Sequence, residues 1–196
     1  MLKSGRATEV LTGGHLKGGM FRSHLQWVRE HGRPEDLQRI LERLPDDARR
    51  QLSGPILATV WLAFAWMVGL DRAIAEQFGD GHRNILRELG RYSATVNSTT
   101  THKLLERKSP HDFFRSSVLL HSQFQDFGRV SYEPTGPTSG RRIQTGCEFY
   151  SPVFCASAVG YYEGCIESHG GSSIVVQETE CQCFGNGSCT FELSWK

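Results

Sequence analysis

The sequence contains a short segment with three cysteines and two acidic residues, QETECQCFGNGSC at residues 177–189. Cysteines this close together can form a disulfide, pair a reactive thiol with a resolving one, or bind a metal as thiolates. Cys181 and Cys183 point the same way on a predicted strand, which is a poor geometry for a disulfide bond. We therefore favour a metal site, and structural zinc as the ion, because thiolates bind zinc tightly in closed sites with four ligands.

The predicted hairpin geometry decides which of these thiols can share an ion. A two-residue turn would place Cys181 and Cys189 on opposite faces of the hairpin. A three-residue loop at residues 185–187 would place Cys183 opposite Cys189, with Cys181 diagonal to them on the same face. Only this second geometry, or an irregular knuckle, lets Cys181 and Cys189 bind one ion. The spacing alone leaves the choice between Cys181 and Cys183 open, and Cys155 is a candidate for the ligand from outside the hairpin.

Composition and charge exclude several classes of protein. With 38% hydrophobic and 22% charged residues among 196, the chain is predicted to be globular. Its net charge of +1, without a basic stripe, predicts neither a nucleic-acid partner nor an anionic membrane partner. The most apolar stretch, residues 56–70, is shorter than the roughly 20 residues that span a bilayer. The first residues lack an apolar signal-peptide core, so we expect a cytoplasmic protein whose thiols are reduced or metal-bound.

Hydrophobic spacing and turn residues predict the order of the elements. Apolar residues recur at helical spacing through the first half, and the apolar stretch is predicted to be part of a buried helix over residues 59–78. Ser109 and Pro110 are predicted to begin a further helix. The second half alternates like strands over residues 129–133 and 141–146, followed by a helix over residues 152–168 and the C-terminal hairpin. This order predicts an α+β fold, with N-terminal helices packed on a twisted antiparallel sheet that has one inserted helix.

The C-terminal half resembles the 4-vinyl reductase domain. This domain occurs in the sensory domains of phenol-responsive bacterial transcription activators and in bacteriochlorophyll-biosynthesis proteins. The resemblance is carried by Pro152-Val153-Phe154-Cys155, Gly160-Tyr161, Gly164, Glu178-Thr179-Glu180-Cys181 and Cys189. It implies a helical N-terminal region over residues 1–89 and a ligand-binding and zinc-binding domain over residues 90–196, which together form one compact unit.

The resemblance also implies a ligand set for the metal. The phenol sensors hold a structural zinc through one cysteine at the start of a helix, an acid and a cysteine of an E-x-x-C element, and a last cysteine. Matched motif by motif, these ligands are Cys155, Glu178, Cys181 and Cys189. This chain departs from the pattern by one extra thiol, Cys183.

The same resemblance implies an internal ligand pocket. The 4-vinyl reductase domain is similar to the heme-nitric-oxide and Golgi-transport ligand-binding fold, in which helices and a twisted sheet enclose an apolar cavity. A histidine that follows a leucine contacts the ligand hydroxyl in the phenol sensors, and Leu120-His121 occupies the matching place here. The alternative is that His121 is a core histidine bonded to a backbone carbonyl. The sensors' second contact, a tryptophan, has no counterpart in this chain.

These observations favour a binding function over catalysis. The sequence has no G-x-S-x-G, P-loop or G-x-G-x-x-G motif, and a zinc with four protein ligands has no open position for water. We predict a non-enzymatic, zinc-binding small-molecule sensor or signalling module that binds an apolar or aromatic ligand. We expect it to form a homodimer and to pass its output to a protein partner. The alternatives are an accessory protein or enzyme of tetrapyrrole (4-vinyl) reduction, and a ligand-free assembly module like the Golgi-tethering relatives.

Overall fold

A computed structural model of the chain describes residues 7–79, 83–99 and 109–196. Its helices and strands combine into an α+β fold, which confirms the predicted class. In chain order they are β1 (His15–Lys17), α1 (Gly18–His31), α2 (Pro34–Glu42), α3 (Asp46–Ser53), β2 (Trp61–Ala63), α4 (Phe64–Phe78), α5 (Arg83–Thr99), α6 (Pro110–Phe124), β3 (Arg129–Gly136), β4 (Ser139–Thr145), α7 (Pro152–Ser168), β5 (Val175–Glu180) and β6 (Ser188–Ser194).

Two antiparallel sheets organise the fold. Strands β1 and β2 form a two-stranded ribbon, and the other four form a sheet with the order β3-β4-β6-β5. Helix α6 packs on β3 and helix α7 packs on β5. One core lies among the N-terminal helices, and a second lies between helices α6 and α7 and the larger sheet. Among the described helices, none is both long and apolar enough to cross a bilayer.

The helix formed by the apolar stretch at residues 56–70 begins later in the chain than predicted. The helix predicted over residues 59–78 begins at Phe64, because Trp61, Leu62 and Ala63 form strand β2 instead. These three residues pair with β1, and only the middle one is buried, as the period of two in a strand requires. The sequence reasoning also missed helix α3, which has two acids in its first turn.

The start of α6 at residues 109–110 follows the predicted capping chemistry, and the start of α7 at residues 151–152 has the same kind of cap. The Ser109 hydroxyl accepts a hydrogen bond from the backbone N–H of Asp112, and Pro110 is the first helical residue of α6. Helix α7 begins in the same way, with Ser151 as its N-cap and Pro152 next. Both caps place a helix directly against the larger sheet.

The backbones of helices α5 and α7 touch where the helices cross, and each helix has a glycine at this point. A β-carbon built on Gly160 would lie 1.9 Å from the carbonyl oxygen of Arg87, and one on Gly90 would lie 1.9 Å from that of Ser157. No side chain fits at either position, so only glycine allows this approach. Next to the crossing, the buried carboxylate of Glu163 pairs with Arg87. Helix α5 continues through position 90, which the sequence reasoning used as the start of the second region.

Substitution Gly160→Ala is expected to destabilise the protein by about 2 kcal/mol or more, because the added methyl group would push backbone against backbone. The loss should outweigh the gain in helix propensity of about 1 kcal/mol. Urea unfolding followed by circular dichroism measures the difference. Gly54→Ala is the matched control, since a β-carbon there meets nothing within 4 Å. A Gly160→Ala protein as stable as the wild type would contradict the close crossing.

Candidate functional site

A partly open cavity of about 140 Å³ lies between the helices and the larger sheet. Its wall is mostly apolar and aromatic, and it includes Met20, Met67, Phe113, Phe114, Phe154 and Tyr161. A cavity of roughly this size, about 150 Å³, is known to take up benzene. The cavity therefore has room for a ligand of about one aromatic ring.

His121, the residue predicted to contact a ligand, lines this cavity. Its Nε2 lies 3.2 Å from the carbonyl oxygen of Phe127. This is the hydrogen bond expected if His121 were a core histidine bonded to a backbone carbonyl. Burial lowers the pKa of His121, so the ring is neutral at pH 7. A neutral ring that donates from Nε2 keeps Nδ1 as an acceptor. The backbone bond fixes the tautomer and does not by itself exclude a contact with a ligand.

A second histidine in the cavity wall, His24, was missed by the sequence reasoning. Its Nδ1 lies 2.5 Å from Oδ1 of Asp71, and both residues are buried. The other carboxylate oxygen of Asp71 has no hydrogen-bond partner among the described residues. The available signal was the spacing of α1, where His24 lies three residues after Phe21 and four before Val28, on the apolar face. A polar residue on such a face needs a buried partner.

Arg142 of strand β4 is the other charged residue in the cavity wall, and the sequence reasoning missed it too. It is only 7% exposed. Its Nη1 donates to the Ser117 hydroxyl at 2.9 Å, and its guanidinium carbon lies 5.1 Å from the centroid of the Tyr162 ring. Its Nε has no hydrogen-bond partner among the described residues. Strand alternation was the available signal, since position 142 shares the buried face with position 140.

The four residues predicted as metal ligands form a compact group elsewhere in the fold. The Sγ atom of Cys155 lies 3.8 Å from those of Cys181 and Cys189, which are 3.9 Å from each other. With a carboxylate oxygen of Glu178, these atoms all lie within 4.8 Å of one another. The three thiols are buried. The group joins the first turn of α7 to the C-terminal hairpin.

An irregular hairpin brings Cys181 and Cys189 together. Strand β5 ends at Glu180, after a shift of register against β6, and a 3-10 turn follows at Gln182–Phe184. Gly185 closes that turn in the left-handed region, with φ of 81°. This is the knuckle that the spacing left open, and Cys181 is the residue in the group. Cys183 is also buried and contacts Cys155 and Cys181, but it is not one of the four residues whose ligand atoms lie within 4.8 Å of one another.

The cysteine group brings four ionisable side chains together in a largely buried part of the fold. Hydrogen bonds with Cys155, Cys183 and Cys189 lower the pKa of the Cys181 thiol, which makes it the acceptor of the group. Burial, followed by the nearby Cys181, raises the pKa of Glu178 to about 8. Its Oε1 is buried without a hydrogen-bond partner among the described residues. Hydrogen bonds to the other cysteines raise the pKa of the Cys155 thiol. Cys155 and Glu178 therefore hold their protons at pH 7, and a metal ion would have to displace them.

Comparison with known proteins relates the fold to solved structures. No protein-family model and no curated protein matches the sequence. An H-NOX protein from S. oneidensis in the Fe(II)NO ligation state superimposes with a TM-score of 0.71 and 12% identity, covering 92% of this chain and 99% of that one. The fold is that of H-NOX domains. The Fe(II) unliganded H-NOX protein from K. algicida gives 0.67 and 12% identity, covering 92% and 97%. A third structure, described as modulating heme redox potential through protein-induced porphyrin distortion, superimposes with a TM-score of 0.65 and 14% identity. The superposition covers 92% of this chain and 99% of that one.

These similar structures overturn the prediction of zinc as the cofactor. They are described by Fe(II) and by heme, and none of the three by zinc. The prediction of structural zinc was therefore wrong. It came from the affinity of clustered thiolates for zinc and from a sequence resemblance that no family model supports.

The heme named for these structures does not fit the cavity of this chain. A porphyrin has four rings around its metal, whereas the cavity of about 140 Å³ holds about one ring. The Nε2 of His121 is bonded to the Phe127 carbonyl, so it is not available as an axial ligand. The aromatic side chains of Phe113, Phe114 and Phe154 occupy the surrounding space. We therefore derive no chemistry through heme for this protein.

Substitution His24→Ala is expected to lower the free energy of unfolding by about 3–5 kcal/mol, since it leaves the Asp71 carboxylate buried without its partner. Chemical denaturation measures this loss. The control is His15→Ala, which removes a histidine from an exposed pair with Asp126 and should cost about 1 kcal/mol or less. Adding Asp71→Ala to His24→Ala should recover part of the loss. Equal effects of the two single substitutions would contradict the buried pairing.

Proposed function

We propose that this chain is a non-enzymatic sensor or signalling module that binds a small apolar or aromatic molecule in its internal cavity. The observation that carries this proposal is a partly open, mostly aromatic cavity with a few polar groups in its wall. Such a combination is typical of small-molecule sites, where apolar walls provide affinity and sparse polar groups fix orientation.

The cavity wall draws on both parts of the chain. Met20, His24 and Met67 belong to residues 1–89, and the α5, α6, α7 and β4 residues belong to 90–196. We therefore propose that the two regions act as one compact binding unit. Ligand binding would then couple the N-terminal helices to the sheet through shared contacts.

His121 is proposed to contact the polar group of the ligand. Its ring lines the cavity, and the bond to the Phe127 carbonyl holds the ring in one orientation. As a neutral acceptor it would take a hydrogen bond from a hydroxyl or similar group. This role makes the backbone bond a positioning contact.

A thermal-shift screen of single-ring aromatic compounds is expected to raise the Tm of the wild-type protein, because a ligand that binds only the folded state stabilises it. His121→Ala should weaken the binding of hydroxylated hits by about 1–3 kcal/mol, the cost of one lost bond to a buried group. The control is His111→Ala on the same helix, which removes a ring bonded to the Tyr132 hydroxyl. The absence of any shift in the wild type would refute the cavity as a ligand site.

We also propose that Cys155, Glu178, Cys181 and Cys189 bind one thiophilic metal ion. For a tetrahedral ion with metal–sulfur bonds of about 2.3 Å, the sulfur–sulfur distance is about 3.8 Å. The three measured distances of 3.8–3.9 Å match this value. The buried Oε1 of Glu178, which lacks a partner among the described residues, is available as the fourth ligand. Such an ion would tie α7 to the hairpin.

Cys189→Ser is expected to lower both the metal content and the Tm, the latter by about 6 °C or more, since each kcal/mol shifts the Tm of a chain of this size by about 2–4 °C. Elemental analysis measures and identifies the metal. Cys165→Ser is the control, because its thiol is buried outside the group. Cys183→Ser should keep the metal, because Cys183 contacts the group without being one of the four ligands. Freshly purified protein that contains no metal would refute the site. A native mass spectrum of the same sample also tests the expected homodimer.

A further inference from the structure

Neighbouring arginines on strand β4 have opposite surroundings. Arg141 is partly exposed and its Nε donates to Glu192 of the adjacent strand at 2.6 Å. Arg142 points to the opposite face of the sheet, as strand geometry requires, and it lies in the wall of the cavity. The two side chains therefore provide a matched pair, one with an acid partner and one without.

Arg142 is a buried cation without an anion. A guanidinium stays protonated in proteins, so burial does not neutralise it. Its polar contacts are the hydroxyls of Ser117 and Tyr162, and it also lies near the faces of the Tyr162 and Phe114 rings. Among the described residues it forms no ion pair, and its Nε donates to nothing. A buried charge in this state is costly unless a counter-ion completes it.

The other polar groups around the cavity do not supply that anion. His121 is neutral at pH 7 because burial lowers its pKa. His24 is bonded to Asp71, so the carboxylate of Asp71 already has a cationic or donor partner. The hydroxyl of Tyr162 accepts from Gln144 at 3.0 Å. No described residue around the cavity therefore supplies the negative charge, which an anionic ligand can provide.

We propose that the natural ligand of the cavity is an aromatic carboxylate whose carboxylate group pairs with Arg142. This inference rests on the proposed function, and it names the chemical class of the ligand. The planar fork of a guanidinium matches a carboxylate, and a single negative charge balances the single positive charge. The ring of the ligand lies against the phenylalanines and tyrosines of the wall, in a space of about one ring. A phenol fits less well, since a phenolic hydroxyl with a pKa near 10 carries no charge at pH 7.

The test uses benzoate and its neutral isostere benzamide as probes at pH 7. Isothermal titration of the wild-type protein should show benzoate binding at least ten-fold more tightly than benzamide. Arg142→Met, which keeps the volume and removes the charge, should weaken benzoate binding by about 10- to 100-fold and change benzamide binding little. The control Arg141→Met should leave both affinities unchanged. Without ligand, Arg142→Met should have a higher Tm than the wild type, because it removes an uncompensated buried charge.

Each outcome distinguishes this inference from the function on which it rests. Benzamide binding as tightly as benzoate, or Arg142→Met binding benzoate like the wild type, would overturn the carboxylate and leave the cavity as a ligand site. Failure of both probes and of every neutral aromatic compound in the screen would overturn the binding function as well. Should Arg142→Met fold poorly, Arg142→Lys provides the second variant. Lysine keeps the positive charge but lacks the planar guanidinium, so the benzoate affinity of Arg142→Lys should lie between those of the wild type and of Arg142→Met. An unchanged benzoate affinity would contradict a pairing that depends on the guanidinium geometry.

Discussion

The contact of α5 with α7 at Gly90 and Gly160 holds in place the helix that contributes to both the cavity wall and the cysteine group. Because neither residue has a β-carbon, the two backbones touch, and the rest of each helix is placed to within small tolerances. Helix α7 carries Cys155 at one end, and at its middle Tyr162, which faces the cavity. The buried pair of Glu163 with Arg87 lies beside the glycines and fixes the rotation of α7. Looser packing at this crossing would displace the cavity wall and the cysteine group together.

The cavity and the cysteine group each bury ionisable side chains without a described counter-ion. In the cysteine group, raised pKa values keep Cys155 and Glu178 protonated at pH 7, and Cys181, whose pKa is lowered, is the exception. The cavity buries the guanidinium of Arg142 without a described anion. Folding tolerates buried charge only when the charge is paired or neutralised. The cysteine group is largely neutralised by its protons, whereas a guanidinium keeps its charge.

The sequence predicted local features well where one chemical rule decides the outcome. The cap at Ser109, the strand pair around residue 137 and the grouping of Cys155 with the hairpin each depend on residues close in sequence or on a motif. The predictions failed where the structure of a segment depends on a partner that is distant in sequence. Residues 61–63 are strand because β1 is available to pair with them. The role of Arg142 depends on a cavity lined by five helices and strand β4, which no local sequence pattern indicates. The zinc prediction rested on thiolate chemistry and a resemblance, neither of which identifies the ion.

The chain shares an architecture with the H-NOX structures but few of their residues. It superimposes on them over 92% of its length with 12–14% identity, so the architecture is shared while the residues that fill it differ. The path of the backbone sets the maximum size of an internal site, and the side chains decide how much of it remains. Here the aromatic side chains of Phe113, Phe114 and Phe154 line a cavity of about 140 Å³. The ligand of this chain depends on these side chains, because a shared fold does not by itself carry a shared function.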